Sequence, residues 1–120
     1  MTLKVLIVDD SQFMRNLLQQ ILDGDDYDVV AEAKNGIEAV QLYKQHEPDL
    51  VMMDVVMPKC NGIKATAAIK QLNSDTKVIM CTSVGQREKM KLAVKAGADG
   101  YVTKPFEEQD VIHTIQDVAL

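Results

Sequence analysis

Short aliphatic runs alternate with segments of helical periodicity from one end of this chain to the other, and that alternation leaves few folds open. Leu3–Val8 (LKVLIV) is a dense run of β-branched and aliphatic residues, as a strand covered on both faces requires. After Asp9-Asp10, Ser11 can cap a helix whose apolar residues Met14, Leu17, Leu18, Ile21 and Leu22 fall at helical spacing. Gly24 and Asp25-Asp26 end it. Tyr27–Ala33 reads as a second strand and Asn35-Gly36 as a turn. Ile37–Gln45 is the next helix, buried through Ile37, Val40 and Leu42-Tyr43, with Pro48 marking its exit. Asp49–Met53 forms a third strand that runs into Asp54. Beyond a loop over Val55–Asn61, Gly62–Leu72 is helical with Ile63, Ala67 and Ile69 towards the core. Thr76–Thr82 is a fourth strand and Gln86–Ala96 a fourth helix, stopped by Gly97. Gly100–Thr103 is a short fifth strand, Lys104-Pro105 a break, and Glu107–Leu120 a last helix buried through Val111, Ile115 and Val118.

Five strands alternating with five helices predict a doubly wound α/β fold, a five-stranded parallel sheet covered on both faces, as one domain over residues 1–120. A chain of this length can build its core without disulfides or structural metal. With 47% hydrophobic and 26% charged residues it has the balance of a globular protein, which excludes disorder. No run approaches the roughly 18 apolar residues that would span a bilayer. Met1-Thr2-Leu3-Lys4 enters a strand without a secretory signal, so a cytoplasmic location is expected. The net charge is −5 and the basic residues are scattered, which speaks against direct nucleic-acid binding. Cys81 falls in an apolar strand and Cys60 in a polar loop, and their spacing fits neither a redox pair nor a zinc site. His46 and His113 are expected at the surface, and the methionines as core filler.

In open parallel sheets, ligands bind beyond the carboxyl ends of the strands. Strand one ends in Asp9-Asp10, strand three in Asp54, strand four in Thr82 and strand five in Lys104. Each residue alone has an ordinary explanation: a helix cap, a turn, a β-former, a solvated charge. Together they place three carboxylates at one sheet edge, which mutual repulsion makes costly without a purpose. Against them stands the single ammonium of Lys104, and the remaining two negative charges match one Mg²⁺, a hard cation suited to oxygen ligands. Aspartate is a competent nucleophile for phosphoryl transfer, a reaction that needs in-line positioning and neutralised oxygens. A phosphoryl group on Asp54 would then be held by the metal, Lys104 and the Thr82 hydroxyl.

The segments Val8-Asp9-Asp10-Ser11, Met53–Pro58 with Asn61-Gly62, Thr82-Ser83 and Lys104-Pro105-Phe106 occur in an order and at intervals that resemble the response-regulator receiver family. The resemblance covers the whole chain and implies the strand order 2-1-3-4-5. It makes Asp54 the phosphoryl acceptor and a group of Asp9, Asp10, Asp54 and the Val56 carbonyl the Mg²⁺ ligands, Asp10 directly and Asp9 largely through water. Thr82 and Lys104 would contact the phosphoryl group, Tyr101 would be the aromatic switch, and the Lys104–Pro105 bond would be cis. Val56 and Val84 would flank the path of the hydrolytic water.

The stretches Asp10–Arg15 and Val84-Gly85-Gln86 look like chemotaxis receivers, and a stand-alone receiver without an output domain is expected. The resemblance therefore implies a signalling protein of a two-component system, not a metabolic enzyme, that catalyses its own phosphotransfer and slow dephosphorylation. It also implies a histidine kinase of the CheA type as donor, a motor-switch or adaptor protein downstream, and a monomer. The receiver half of a chemotaxis methylesterase and a single-domain phosphorelay intermediate are alternatives. An Asp-nucleophile phosphatase would want a second acid where Val56 stands, and a flavodoxin-like binder a phosphate loop where Asp9-Asp10 would repel the ligand.

Overall fold

The computed structural model describes residues 2–83 and 85–119. Its elements follow the predicted alternation: β1 (Leu3–Val8), α1 (Gln12–Ile21), β2 (Tyr27–Ala33), α2 (Gly36–His46), β3 (Leu50–Asp54), α3 (Gly62–Leu72), β4 (Lys77–Thr82), α4 (Arg87–Ala96), β5 (Gly100–Thr103) and α5 (Glu108–Ala119). The strands form one parallel sheet in the order β2-β1-β3-β4-β5, as the resemblance implied. Leu120, the predicted end of the last helix, lies outside the described residues, as does Met1.

Period-two alternation sends the strand side chains into two separate cores. Leu6, Val8, Val51, Met53, Val78 and Met80 pack under Ala39, Tyr43, Ala65, Ile69 and Ala93 of α2, α3 and α4. Val5, Ile7, Leu50, Met52, Ile79 and Cys81 pack on the other face under Leu18, Leu22, Val111 and Ile115 of α1 and α5. Burial on both faces explains why β1, β3 and β4 read as unbroken aliphatic runs. Four of the methionines, Met52, Met53, Met57 and Met80, are core residues.

Two core assignments change. Ile37 is 50% exposed, because α2 turns Gly36, Ala39 and Tyr43 inward and Ile37 lies off that face. In α3 the buried positions are Gly62, Ala65, Thr66 and Ile69, with Ile63 and Ala67 only partly covered. Cys60 is not simply a polar-loop residue: it is partly buried against the first core, and both cysteines are free.

Register decides what the sheet edge holds. Val8 pairs with Met53 and Asp54 with Cys81, so the residues that follow β1 and end β3 lie side by side. Thr82 pairs with Thr103, which brings Lys104 next to the end of β4, where its N–H donates to the Thr82 carbonyl at 2.7 Å. The Lys104–Pro105 peptide is cis, as expected.

The β3–α3 connection is folded tightly back on the end of β3. Asn61 caps α3 by accepting from the Lys64 N–H at 3.0 Å, and the Gly62 N–H donates to the Val55 carbonyl at 3.0 Å. A Cβ on Gly62 would stand 1.9 Å from the Asp54 carbonyl oxygen. Gly62→Ala is therefore expected to lower stability by about 1–3 kcal/mol or more, as overpacking against backbone does. Urea unfolding of the variant beside wild type checks this, and an unchanged midpoint would contradict the close approach.

Candidate functional site

The carboxyl edge of the sheet gathers its polar groups from four chain segments. Asp9 extends β1 by one ladder bond, its N–H donating to the Ala33 carbonyl at 3.0 Å, and the residue is 1% exposed. Its Oδ1 accepts from the Ser11 N–H at 2.9 Å and its Oδ2 from Lys104 Nζ at 2.8 Å. Ser11 in turn caps α1, accepting from the Met14 N–H at 3.3 Å. Arg15 Nη1 donates to the Asp9 carbonyl at 2.7 Å while its Nε is paired with Glu32 at 2.8 Å, which fixes the peptide between the two aspartates. Asp10 is exposed where Asp9 is buried, so the adjacent carboxyls differ in their access to solvent. Asp54, 6% exposed, lies 3.3 Å through Oδ1 from the same Lys104 ammonium.

Carboxylate oxygens of Asp9, Asp10 and Asp54 lie within 4.8 Å of one another, and this is the cluster of metal-ligating side chains among the described residues. Burial first, then the Asp9 charge, pushes the Asp54 carboxyl up to about 6, with Asp10 adding to the rise and Lys104 opposing it. Burial works against the Lys104 ammonium, but the hydrogen bond to Asp9 and the charges of Asp54 and Asp9 outweigh it and hold its pKa above the ordinary value. The site thus carries more negative charge than its one cation offsets. An all-oxygen donor set with that imbalance fits a hard divalent cation. Burial pushes the Cys81 thiol up, so beside this site it is a neutral packing residue.

The other expected positions divide. Thr82 is 6% exposed and stands at the end of β4. Its hydroxyl donates to Gln86 Oε1 at 3.0 Å, a pairing that no local pattern announces. Arg15 was likewise missed as more than part of a motif, since its target is a backbone carbonyl. Tyr101 on β5 is 60% exposed, its ring turned out to solvent, and Val56 follows Asp54 with an exposed side chain. Val84 lies outside the described residues. His113 is exposed as expected, while His46 is partly covered. A groove of about 650 Å³ opens at the opposite edge of the sheet between Leu3, Tyr43, Asp49 and Thr76, far along the strands from this chemistry.

A five-stranded sheet in this order, with an acidic group and a lysine converging at its carboxyl edge, defines a receiver. Residues 5–116 match the response regulator receiver domain, and the chain belongs to that family of signalling proteins. It is similar to the chemotaxis protein CheY of Halobacterium salinarum, with 58% identity over 98% of each chain. It is also similar to CheY of Bacillus subtilis, with 45% identity over 93% of each. Among solved structures, CheY of Borrelia burgdorferi in its complex with CheX, BeF₃ and Mg²⁺ superposes with a TM-score of 0.91 at 32% identity, over 98% of this chain and 90% of that one. No helix among the described residues is long and apolar enough to cross a membrane.

A raised carboxyl has a stability consequence of definite sign. The folded state holds the Asp54 proton more tightly than the unfolded chain, so ionising it costs folding energy that grows as pH rises from about 4 to about 6 and then stays constant. In the presence of a chelator, Asp54→Asn should therefore be more stable than wild type at pH 7 by on the order of 1–3 kcal/mol. The difference should shrink as pH falls towards 4.5. Urea titrations of both proteins across that range test it; a pH-independent difference would mean that the Asp54 charge is not the cause.

Proposed function

We propose that this chain is a phosphorylation-activated switch of a chemotaxis two-component system, which takes a phosphoryl group from a CheA-type histidine kinase onto Asp54. One observation carries the reading: a single, partly covered ammonium, Lys104, reaches Asp9 at 2.8 Å and Asp54 at 3.3 Å, with Asp10 exposed beside them. Near neutral pH, above its pKa of about 6, Asp54 is mostly ionised and can attack. Its carboxylate oxygen forms a bond to phosphorus in line with the bond to the donor imidazole nitrogen. That P–N bond breaks, and the electron pair remains on the imidazole.

Asp10 and Asp54, the Val56 carbonyl and, through water, Asp9 would hold Mg²⁺, which when bound neutralises charge on the phosphoryl oxygens. Lys104 neutralises the opposite side, and the Thr82 hydroxyl donates to a phosphoryl oxygen. Movement of Thr82 shifts the segment after it and makes room for the Tyr101 ring to turn in, changing the face formed by α4, β5 and α5. A 100-fold population shift needs about 2.7 kcal/mol of differential interaction. One charge-assisted hydrogen bond, at roughly 1.5–3 kcal/mol, is of that size. That face is where a downstream motor-switch or adaptor protein would read the state, with the chain acting as a cytoplasmic monomer. The complex of the Borrelia protein with CheX supports a protein partner for this chain.

The reading predicts that acetyl phosphate and Mg²⁺ add one phosphoryl group to wild type and none to Asp54→Asn, by intact mass. Asp10→Ala should weaken Mg²⁺ binding at least tenfold by calorimetry. Phosphorylation persisting in Asp54→Asn would sink the assignment.

Lifetime follows from the neighbouring side chain. Val56 offers no hydrogen bond to orient an attacking water, so Val56→Asn should lose its phosphoryl group faster than wild type. Equal or slower decay after removal of the donor would count against a role for this position.

A further inference from the structure

The Thr82 hydroxyl is already engaged. It donates to Gln86 Oε1 at 3.0 Å, and the same oxygen accepts from the Ser83 N–H at 3.1 Å; a longer contact of the hydroxyl reaches the Ser83 carbonyl at 3.3 Å. Gln86 precedes α4 but makes no side-chain hydrogen bond to cap that helix. Its amide instead points back to the end of β4, across a reversal at Gly85, where φ is +93°. Thr82 is 6% exposed, so solvent is a poor substitute for this partner.

A hydroxyl has one proton to donate. It can satisfy Gln86 or a phosphoryl oxygen on Asp54, but not both at once. We propose that Gln86 is the latch of the unphosphorylated state, a positioning residue that holds the Thr82 hydroxyl and the Ser83 amide on its own side-chain oxygen. The proposal rests on the reading of Thr82 as a phosphoryl contact. Engagement of the phosphoryl group must break the Thr82–Gln86 bond, so Gln86 sets how strongly the site favours its resting form. The Gln86 carbonyl also accepts from the Met90 N–H at 3.1 Å, which ties the latch to the first turn of α4.

The latch makes an energetic prediction that packing alone does not. Removing a neutral hydrogen bond that exists only in the resting state should tighten beryllofluoride binding by about 2- to 10-fold. Binding is read from the bound fluorine signal in ¹⁹F NMR, in Mg²⁺, for wild type, Gln86→Ala and Gln86→Leu. The two variants differ in size, so a shared gain is not a packing effect. The same measurement on Thr82→Ala and on Thr82→Ala/Gln86→Ala should give equal affinities, because no hydroxyl remains to be held. Gln86 variants that bind no tighter than wild type would overturn the latch, as would the same gain in the Thr82→Ala background. Failure of wild type to bind beryllofluoride at all would instead overturn the phosphoryl-acceptor reading, and the latch with it.

Discussion

The Lys104 ammonium is the contact on which the sheet edge depends. It comes from the segment after β5, passes the end of β4, and reaches the carboxylates that follow β1 and close β3. Without a cation there, Asp9, Asp10 and Asp54 would repel one another in surroundings that exclude most water. The compensation is partial, as the raised Asp54 carboxyl shows. Buried ion pairs of this kind contribute little net stability, because desolvation offsets the Coulomb gain. The arrangement leaves a carboxylate with unbalanced negative charge around it, which fits a divalent cation.

The rest of the fold keeps that edge rigid. β1, β3 and β4 are buried on both faces by two independent helix layers, so their ends cannot drift relative to one another. Parallel register then puts Asp9 beside Asp54 and Lys104 beside Thr82. Gly62 and Asn61 fold the loop after β3 back onto the end of that strand, where there is no room for a side chain on Gly62. The Asp9 carbonyl is held from behind by Arg15, itself paired with Glu32.

Against this fixed framework, the end of β4 differs in kind. Thr82 is held by a neutral hydrogen bond to Gln86 and not by an ion pair. A bond of that strength can be exchanged for one to a charged oxygen at a net gain. The site therefore combines a lysine ion-paired with the aspartates and a threonine held by a neutral hydrogen bond. Tyr101, exposed on β5, lies next to Met80 in register, two residues before Thr82 on the neighbouring strand.

The sequence by itself determined the layer architecture and the chemical content of the edge. Leu3–Val8, Tyr27–Ala33, Gly62–Leu72 and Gly100–Thr103 have the bounds their local patterns predicted, because short β-branched runs between turn residues and an Asn-capped helix announce themselves within a few residues. Asp54, the acidic pair, Thr82 and Lys104 were legible as one cluster because strand ends converge in any parallel α/β sheet. Tertiary structure decided what local pattern cannot. Ile37 faces solvent because α2 is rotated to bury Ala39 and Tyr43. Asp9 is buried and Asp10 exposed, although they are identical neighbours, because Asp9 is held by a lysine 95 residues away. Gln86 finds Thr82 only because the chain reverses at Gly85, and a side-chain amide carries no sequence signal of which hydroxyl it will meet.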